Sequence, residues 1–399
     1  METPDQRHRA IHRVGLTATA VGFVALFAFS FATVSPNRVV TGQTAGILET
    51  VPMWAAAIPA VLWLAVGAFS VWGSRARGAA FVRGACAAAA IVSLLWLSGA
   101  AAVAAVERLG EFTRYSIGGG VWLSAFAAFA LVVASRREVG PSTAAGWVVT
   151  LTAPAGIVLL VATGRLSALG LAAEYRNVSS EFPIWVWQQF AYSAAAMVVA
   201  IILGVTLGIV AHRYQRFAGA IFATTSVFQT IPGLAMIGIL VVPLGALAAR
   251  FPVLREFGIG GLGWAPVVVA LTLYALLAIV RNTYAGLGAV PAATVDAGFG
   301  MGMSRSQVTR KVQLPLAGPI LFSGVRTASQ QTIGNATLGA FVAAGTLGAP
   351  IFLGFAQQAN DLVLLGSIAL VILALTVDGV LRGTQYLATP VHRRKERIR

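Results

Sequence analysis

Apolar runs of roughly twenty residues, the length that crosses a bilayer's hydrocarbon core, alternate with short polar segments along most of the chain. Five such runs lie at about 14–34, 53–72, 79–106, 118–134 and 146–163, and five more at about 188–211, 218–244, 265–280, 318–340 and 362–385. The pattern predicts an all-α polytopic membrane protein of about ten transmembrane helices. Between the two sets, residues 164–187 are mixed, with Arg165, Glu174, Arg176, Glu181 and Pro183. This is the clearest boundary. It divides an N-terminal membrane region, 1–165, whose residues name no chemistry, from a second membrane domain, 188–390. Residues 166–187 read as an extracytoplasmic or interfacial linker, and Trp185 and Trp187 suit a membrane–water belt better than an aromatic cage. The first run follows a basic segment with Arg7, Arg9 and Arg13. Its apolar part is too long for a signal peptide, so it reads as a retained span.

One long polar interruption breaks the C-terminal half. Residues 291–319 read PAATVDAGFGMGMSRSQVTRKVQLPLAGP. The pattern predicts two short helices, 294–299 and 304–313, joined by a turn rich in glycine (Gly298, Gly300, Gly302). Ser304 suits the N-cap of the second helix. Pro315 and Pro319 are expected to end that helix and restart the chain as a new one. A turn of small residues lets a partner's backbone approach closely. Asp296 beside it can pair with a cationic partner or cap a helix end. Taken alone, the same features also fit an ordinary amphipathic loop.

Composition sharpens the class. The chain of 399 residues is 58% hydrophobic and 10% charged, an excess of apolar residues that a soluble core does not need. The net charge of +15 does not point to nucleic acid, because the basic residues sit in short clusters between apolar runs. With the N-terminus inside, the cytoplasmic side holds Arg7, Arg9, Arg13, Arg75, Arg77, Arg83, Arg136, Arg137, Arg213, Arg216, Arg281, Arg305, Arg310, Lys311, Arg382 and the basic tail 391–399. The outer side holds only Arg38, Arg108, Arg114, Arg165, Arg176, Arg250 and Arg255. The positive-inside bias therefore places both termini and the 291–319 loop in the cytoplasm.

Candidate chemistry is sparse. The four histidines (His8, His12, His212, His392) fall at cytoplasmic ends, and no His, Cys or carboxylate cluster has metal-ligand spacing. The single cysteine, Cys86, lies in an alanine-rich helix and cannot form an internal disulfide. Neither lysine, Lys311 or Lys395, stands in a phosphate-binding loop of the form G-x-x-x-x-G-K-[ST]. If ATP drives this protein, another chain binds it. Polar residues inside spans are costly and usually face protein or a water-filled path. Gln229, Thr230 and Pro232 form one such band, with the proline set to bend its helix. Gln330, Gln331, Thr332 and Asn335 form another. Both bands read as lining of a translocation path, with helix–helix hydrogen bonding as the alternative. Arg326 and Asp378 lie at similar depth on the last two spans and are expected to pair. Arg382, four residues after Asp378, is the competing partner.

The loop's spacing resembles the EAA loop of permease subunits in ABC importers, Glu-Ala-Ala, three residues, Gly, nine residues, Ile-x-Leu-Pro. Asp296, Ala297 and Gly298 stand for Glu-Ala-Ala; Gly302 follows after three residues, then Val312, Leu314 and Pro315 after nine more. Residues 229–243 (QTIPGLAMIGILVVP), 281–287 (RNTYAGL) and 332–348 (TIGNATLGAFVAAGTLG) look like the permeases of osmoprotectant importers, the glycine betaine, carnitine, choline and proline group. This resemblance covers about 188–382. It implies a type I importer transmembrane domain and a docking role for Asp296, Ala297, Gly298, Gly302, Ser304, Arg305, Leu314 and Pro315. It further implies two separate ATP-binding subunits, which would bind ATP and Mg in place of this chain. A second permease (this chain again or a related one), an extracytoplasmic substrate-binding protein and a bacterial inner membrane are implied as well. The rival reading is a secondary transporter or channel, which would need an intramembrane ion site. Only Arg326 and Asp378 offer one. A membrane-embedded enzyme lacks any catalytic constellation.

Overall fold

A computed structural model describes residues 12–38, 40–72 and 76–388. The segment with Arg7, His8 and Arg9, the residue Arg75, and the tail with His392 and Lys395 lie outside the described residues. The chain forms two compact units. One comprises the residues up to Asn177 with Gln357–Asp361; the other comprises Val178–Ala356 and the residues from Leu362 on. Eight described helices are long and apolar enough to cross a membrane.

In the first unit, α1 (Arg13–Ala28) is followed by strands β1 (Ala32–Ser35) and β2 (Gln43–Ala45) and a one-turn helix α2 (Ile47–Thr50). The first apolar run therefore does not stay helical to residue 34. Its last residues, rich in β-branched side chains, pair as a strand instead. Next come α3 (Met53–Trp72), α4 (Arg77–Leu109), β3 (Arg114–Ile117), α5 (Gly119–Val139), α6 (Ala144–Ala162) and α7 (Gly170–Asn177). The expected linker thus holds a short helix. The three strands form an antiparallel sheet in the order β2-β1-β3, an element the all-helical reading does not anticipate.

Close approach holds the bundle together. A Cβ at Gly22 would fall 2.1 Å from the Trp63 ring, which is fully buried and donates from Nε1 to Ser124 Oγ at 2.9 Å. Where α1 begins, Arg83 is buried rather than facing water as its place among the cytoplasmic charges suggested. It donates to the Phe69 carbonyl (3.0 Å) and to Glu138 Oε2 (2.5 Å), and Glu138 Oε1 meets His12 Nε2 at 2.8 Å. His12 Nδ1 accepts the Gly15 amide, so the ring caps α1. At the other end of the bundle, Ser116 on β3 donates to Asp361 Oδ2 at 2.6 Å.

The second unit runs α8 (Phe182–Arg213), α9 (Gln215–Thr230), α10 (Gly233–Arg250), a turn α11 (Val253–Glu256) and α12 (Trp264–Gly288). The loop helices α13 (Ala292–Gly300) and α14 (Arg305–Val308) follow. A π-helical turn, Thr309–Gln313, then leads into α15 (Leu314–Asn335) and a 3₁₀ segment, Ala336–Val342. Helix α16 (Gly348–Ala356) follows, and α17 (Asn360–Ala388) ends the described chain. The run 218–244 is two helices, because the chain is extended at Ile231 and Pro232. Pro232 cannot donate its helical hydrogen bond and drives Ile231 out of the α region. The expected bend is a full break. The run 318–340 is helical only to Asn335.

Helix α12 is the centre of this unit. It is buried along its whole length, from Ala265, Val267 and Leu271 to Ile279, Val280 and Leu287. Glycines on its neighbours admit its backbone. A Cβ at Gly204 would lie 2.7 Å from Ile279 Cγ2, one at Gly208 would lie 2.5 Å from Thr283 Cβ, and one at Gly324 would lie 2.5 Å from Asn282 Cβ. Such small-residue contacts supply the van der Waals packing that replaces the hydrophobic effect between helices in lipid. Gly208→Leu is therefore expected to cost about 1–3 kcal/mol and to lower the melting temperature by several degrees. Gly238→Leu, where no atom stands within 4 Å of the added Cβ, is expected to melt like the parent protein. Thermal unfolding in detergent checks both, and equal melting of the two variants would contradict this packing.

Candidate functional site

The loop 291–319 folds as a rigid knob. Helix α13 stops at the Met301–Gly302 turn, where Gly302 has φ +80°, a backbone region that suits glycine. Ser304 then opens α14 with the expected cap, as a reciprocal capping box. Its Oγ accepts from the Gln307 amide (3.3 Å), and Gln307 Oε1 accepts from the Ser304 amide (2.7 Å). Gly298 is buried between the two arms, and a Cβ there would stand 3.2 Å from Val308 Cγ2 and 3.7 Å from Val312 Cγ2. That tightness explains why the position must be small. Val308 is 1% exposed and anchors α14 from beneath.

Two expectations for this loop need correction. Pro315 and Pro319 do not end the second helix. The π turn Thr309–Gln313 carries the chain without interruption into α15, with Pro315 in its first turn and Pro319 inside it. The first turn has no intrahelical acceptor for the missing proline N–H to deprive. Asp296 caps no helix; Pro291 stands at the N-cap of α13. Asp296 is exposed, and among the described residues it makes no hydrogen bond or ion pair. Ala297, Gly302, Ser304, Arg305 and Pro315 are exposed too, while Leu314 is half-buried against Leu287 and Ala317. The sequence reading missed Phe299 (43% exposed) and Met301 (70% exposed). Both flank the glycine turn and give it an apolar tip beside the carboxylate. Their signal was present in the alternation of bulky apolar and glycine residues over 298–303. Behind the knob lies a cavity of about 220 Å³ walled by Ile209, His212, Val295, Phe299 and Thr309.

The polar bands divide. Gln229 and Thr230 are exposed on this unit, with Pro232 beyond them. Gln229 Nε2 also donates to the Tyr274 carbonyl at 3.0 Å, and the Tyr274 hydroxyl donates to the Ile231 carbonyl at 2.6 Å. The second bond satisfies the Ile231 carbonyl freed by the break, as a membrane interior demands, and the first anchors the end of α9 to α12. Thr230 bonds its own helix at Val227 (2.8 Å). In the second band, Thr332 is buried and donates to the Ala328 carbonyl at 2.7 Å, and Asn335 closes α15 half-buried. Gln330 and Gln331 are exposed, and Gln330 Nε2 donates to Asp378 Oδ1 at 3.0 Å. A residue not singled out from sequence, Gln189, is fully buried. Its Nε2 donates to the Ile333 carbonyl (2.6 Å) and its Oε1 accepts the Leu347 amide (3.0 Å), tying α8 to both ends of the 3₁₀ segment.

Arg326 and Asp378 meet. Asp378, 6% exposed, accepts from Arg326 Nε, from an Arg326 terminal nitrogen at 3.2 Å, from Gln330, and from Arg382 Nε at 2.7 Å. The two partners weighed from sequence are both present, because one carboxylate has room for several donors. Asp378 is the shared acceptor, so Asp378→Asn is expected to lower the melting temperature further than Arg326→Gln. Breaking a buried pair costs about 3–5 kcal/mol, whereas an apolar pair in its place is often neutral. Arg326→Met combined with Asp378→Leu is thus expected to recover most of the loss. A double variant that merely sums the two single losses would contradict this.

Comparison with known proteins fits this geometry. Residues 196–384 match the family model of the binding-protein-dependent transport system inner membrane component. Residues 12–172 match the N-terminal domain of the ABC transporter permease YehY. The chain belongs to the family of ABC importer permeases, the membrane subunits of binding-protein-dependent transport systems. Among its relatives is the glycine betaine/carnitine/choline transport system permease protein OpuCD of Bacillus subtilis, 36% identical over 52% of this chain and 85% of that protein. The choline transport system permease protein OpuBB of the same organism is 34% identical over 51% and 87%. The osmoprotectant import permease protein OsmW of Salmonella typhimurium is 34% identical over 49% and 86%.

Proposed function

We propose that this chain is the membrane-spanning permease of an ATP-driven importer of small osmoprotectants, quaternary-ammonium compounds such as glycine betaine or choline. The observation that carries the coupling half is the knob at 291–319. It offers an unpaired carboxylate, Asp296, beside an exposed apolar tip, Phe299 and Met301, on a turn locked by the Ser304–Gln307 capping box. That surface suits a groove on a separate ATPase with a cationic rim and an apolar floor. The substrate half rests on the relatives, which are permeases for glycine betaine, carnitine, choline and osmoprotectants. Two ATP-binding subunits, which bind ATP and Mg, dock on two permeases, each this chain or a related one. A substrate-binding protein delivers from the outer face. The chain sits in a bacterial inner membrane with both termini cytoplasmic. Gln229, Thr230, Pro232, Gln330 and Gln331 line the path in at least one stage of alternating access.

Reversing the carboxylate tests the docking. With Asp296→Arg or Met301→Asp, the chain is expected to insert normally, while uptake of labelled glycine betaine and substrate-stimulated ATP hydrolysis fall about tenfold, the equivalent of ~1.4 kcal/mol of lost coupling. Unaltered stimulation by both variants would remove this surface from the interface. Sidedness has its own test. In a Cys86→Ser background, Ser304→Cys is expected to react with a membrane-impermeant thiol reagent in inverted vesicles only. Labelling in intact cells would overturn the orientation.

A further inference from the structure

We propose that the first unit carries a second binding site, for a small zwitterion bearing an ammonium-type cation and a carboxylate, in the cavity beneath the three-stranded sheet. The choice of probe below rests on the osmoprotectant reading; the site itself does not. The cavity measures about 530 Å³, within the range of small-molecule sites. Helix α4 lines it with Ala101, Ala104 and Ala105, which leave room that larger side chains would fill, and Arg108 and Leu109 close the end of that wall.

Its polar groups are of three kinds, and together they define the ligand. Glu49 supplies a carboxylate held in place by the capping box of α2, where Oε2 accepts the Gly46 amide at 2.8 Å. Arg108, at the far end of α4, supplies a guanidinium that makes no bond among the described residues, with Glu49 or any other group. Tyr115 lines the cavity at 1% exposure, yet its hydroxyl has no hydrogen-bond partner of good geometry. Thr50 beside it directs its own hydroxyl to the Gly46 and Ile47 carbonyls, 3.1 Å each. A buried hydroxyl left unpaired costs about 1–3 kcal/mol, so this one awaits an acceptor. Burial also pushes the Tyr115 hydroxyl well above its ordinary pKa, which keeps it a donor. A guanidinium and a neutral phenol are the pair that binds a carboxylate, and Glu49 faces the opposite charge. An isolated cation would leave Arg108 and Tyr115 unmatched; an isolated anion would meet Glu49.

The test uses the full-length chain in lipid nanodiscs without its binding protein, titrated with labelled glycine betaine. Saturable binding is expected. Glu49→Gln, Arg108→Gln and Tyr115→Phe are each expected to weaken it about tenfold, and Ala104→Trp to abolish it by filling the cavity. Tyr115→Phe is the decisive variant. Its hydroxyl meets nothing of the fold beyond the Thr50 side chain, whose own proton goes to backbone carbonyls, so melting stays near the parent value while binding falls, which a structural role would not produce. Choline, lacking the carboxylate, is expected to be insensitive to Arg108→Gln. Absence of saturable binding, or binding unchanged by all four variants, would overturn the site. Failure of uptake by the complete transporter, with cavity-dependent binding intact, would instead remove the transport reading and leave the site standing.

Discussion

The second unit depends on how closely its helices approach α12. In a bilayer, lipid competes with protein for apolar contact, so helices associate through tight packing and through satisfied polar groups. Gly204, Gly208 and Gly324 let the backbones of α8 and α15 meet α12 at distances that a Cβ would forbid. The same helix secures the irregular segments. Tyr274 holds the chain at the break through its carbonyl, which accepts from Gln229, and its hydroxyl, which donates to the Ile231 carbonyl, and the residue at the N-cap of α12, Gly263, donates to the Val342 carbonyl at 2.7 Å. Broken helices line transport paths where regular ones cannot, and here both breaks are fastened to one rigid rod.

The loop is continuous with the helices behind it. The π turn runs without a stop into α15, and Asp378 joins α15 to α17 through Arg326, with Gln330 and Arg382 also donating to the carboxylate. Arg326 and Arg382 both donate to Asp378, so the carboxylate that the ion-coupled reading would need is already held by two arginines. In this scheme the pair is a mechanical joint between the last two long helices.

Much of this was legible in the sequence, and the exceptions have physical causes. The helical membrane character, the polar loop, the Ser304 cap and the Arg326–Asp378 approach follow from apolar runs, cap chemistry and the cost of a buried charge. The strand at Ala32–Ser35 was not legible, since an apolar run reads alike as helix or strand until its pairing partner, here β3 some eighty residues on, is known. The continuity through Pro315 was missed because a proline in the first turn of a helix costs nothing that its position reveals. Arg83 was read as a surface charge because its partner, Glu138, is distant in sequence. Gln189 was overlooked for the same reason, its two bonds being to backbone far along the chain. The working surfaces of Phe299 and Met301 needed the turn's geometry to separate them from core residues.

The central claim is that ATP hydrolysed by a separate subunit moves substrate through this chain. Proteoliposomes holding the permease and its ATPase, with binding protein and labelled glycine betaine outside and ionophores collapsing every ion gradient, measure it directly. The account predicts accumulation that requires ATP at the ATPase face and survives the ionophores. Accumulation that follows an imposed sodium or proton gradient without ATP would contradict it.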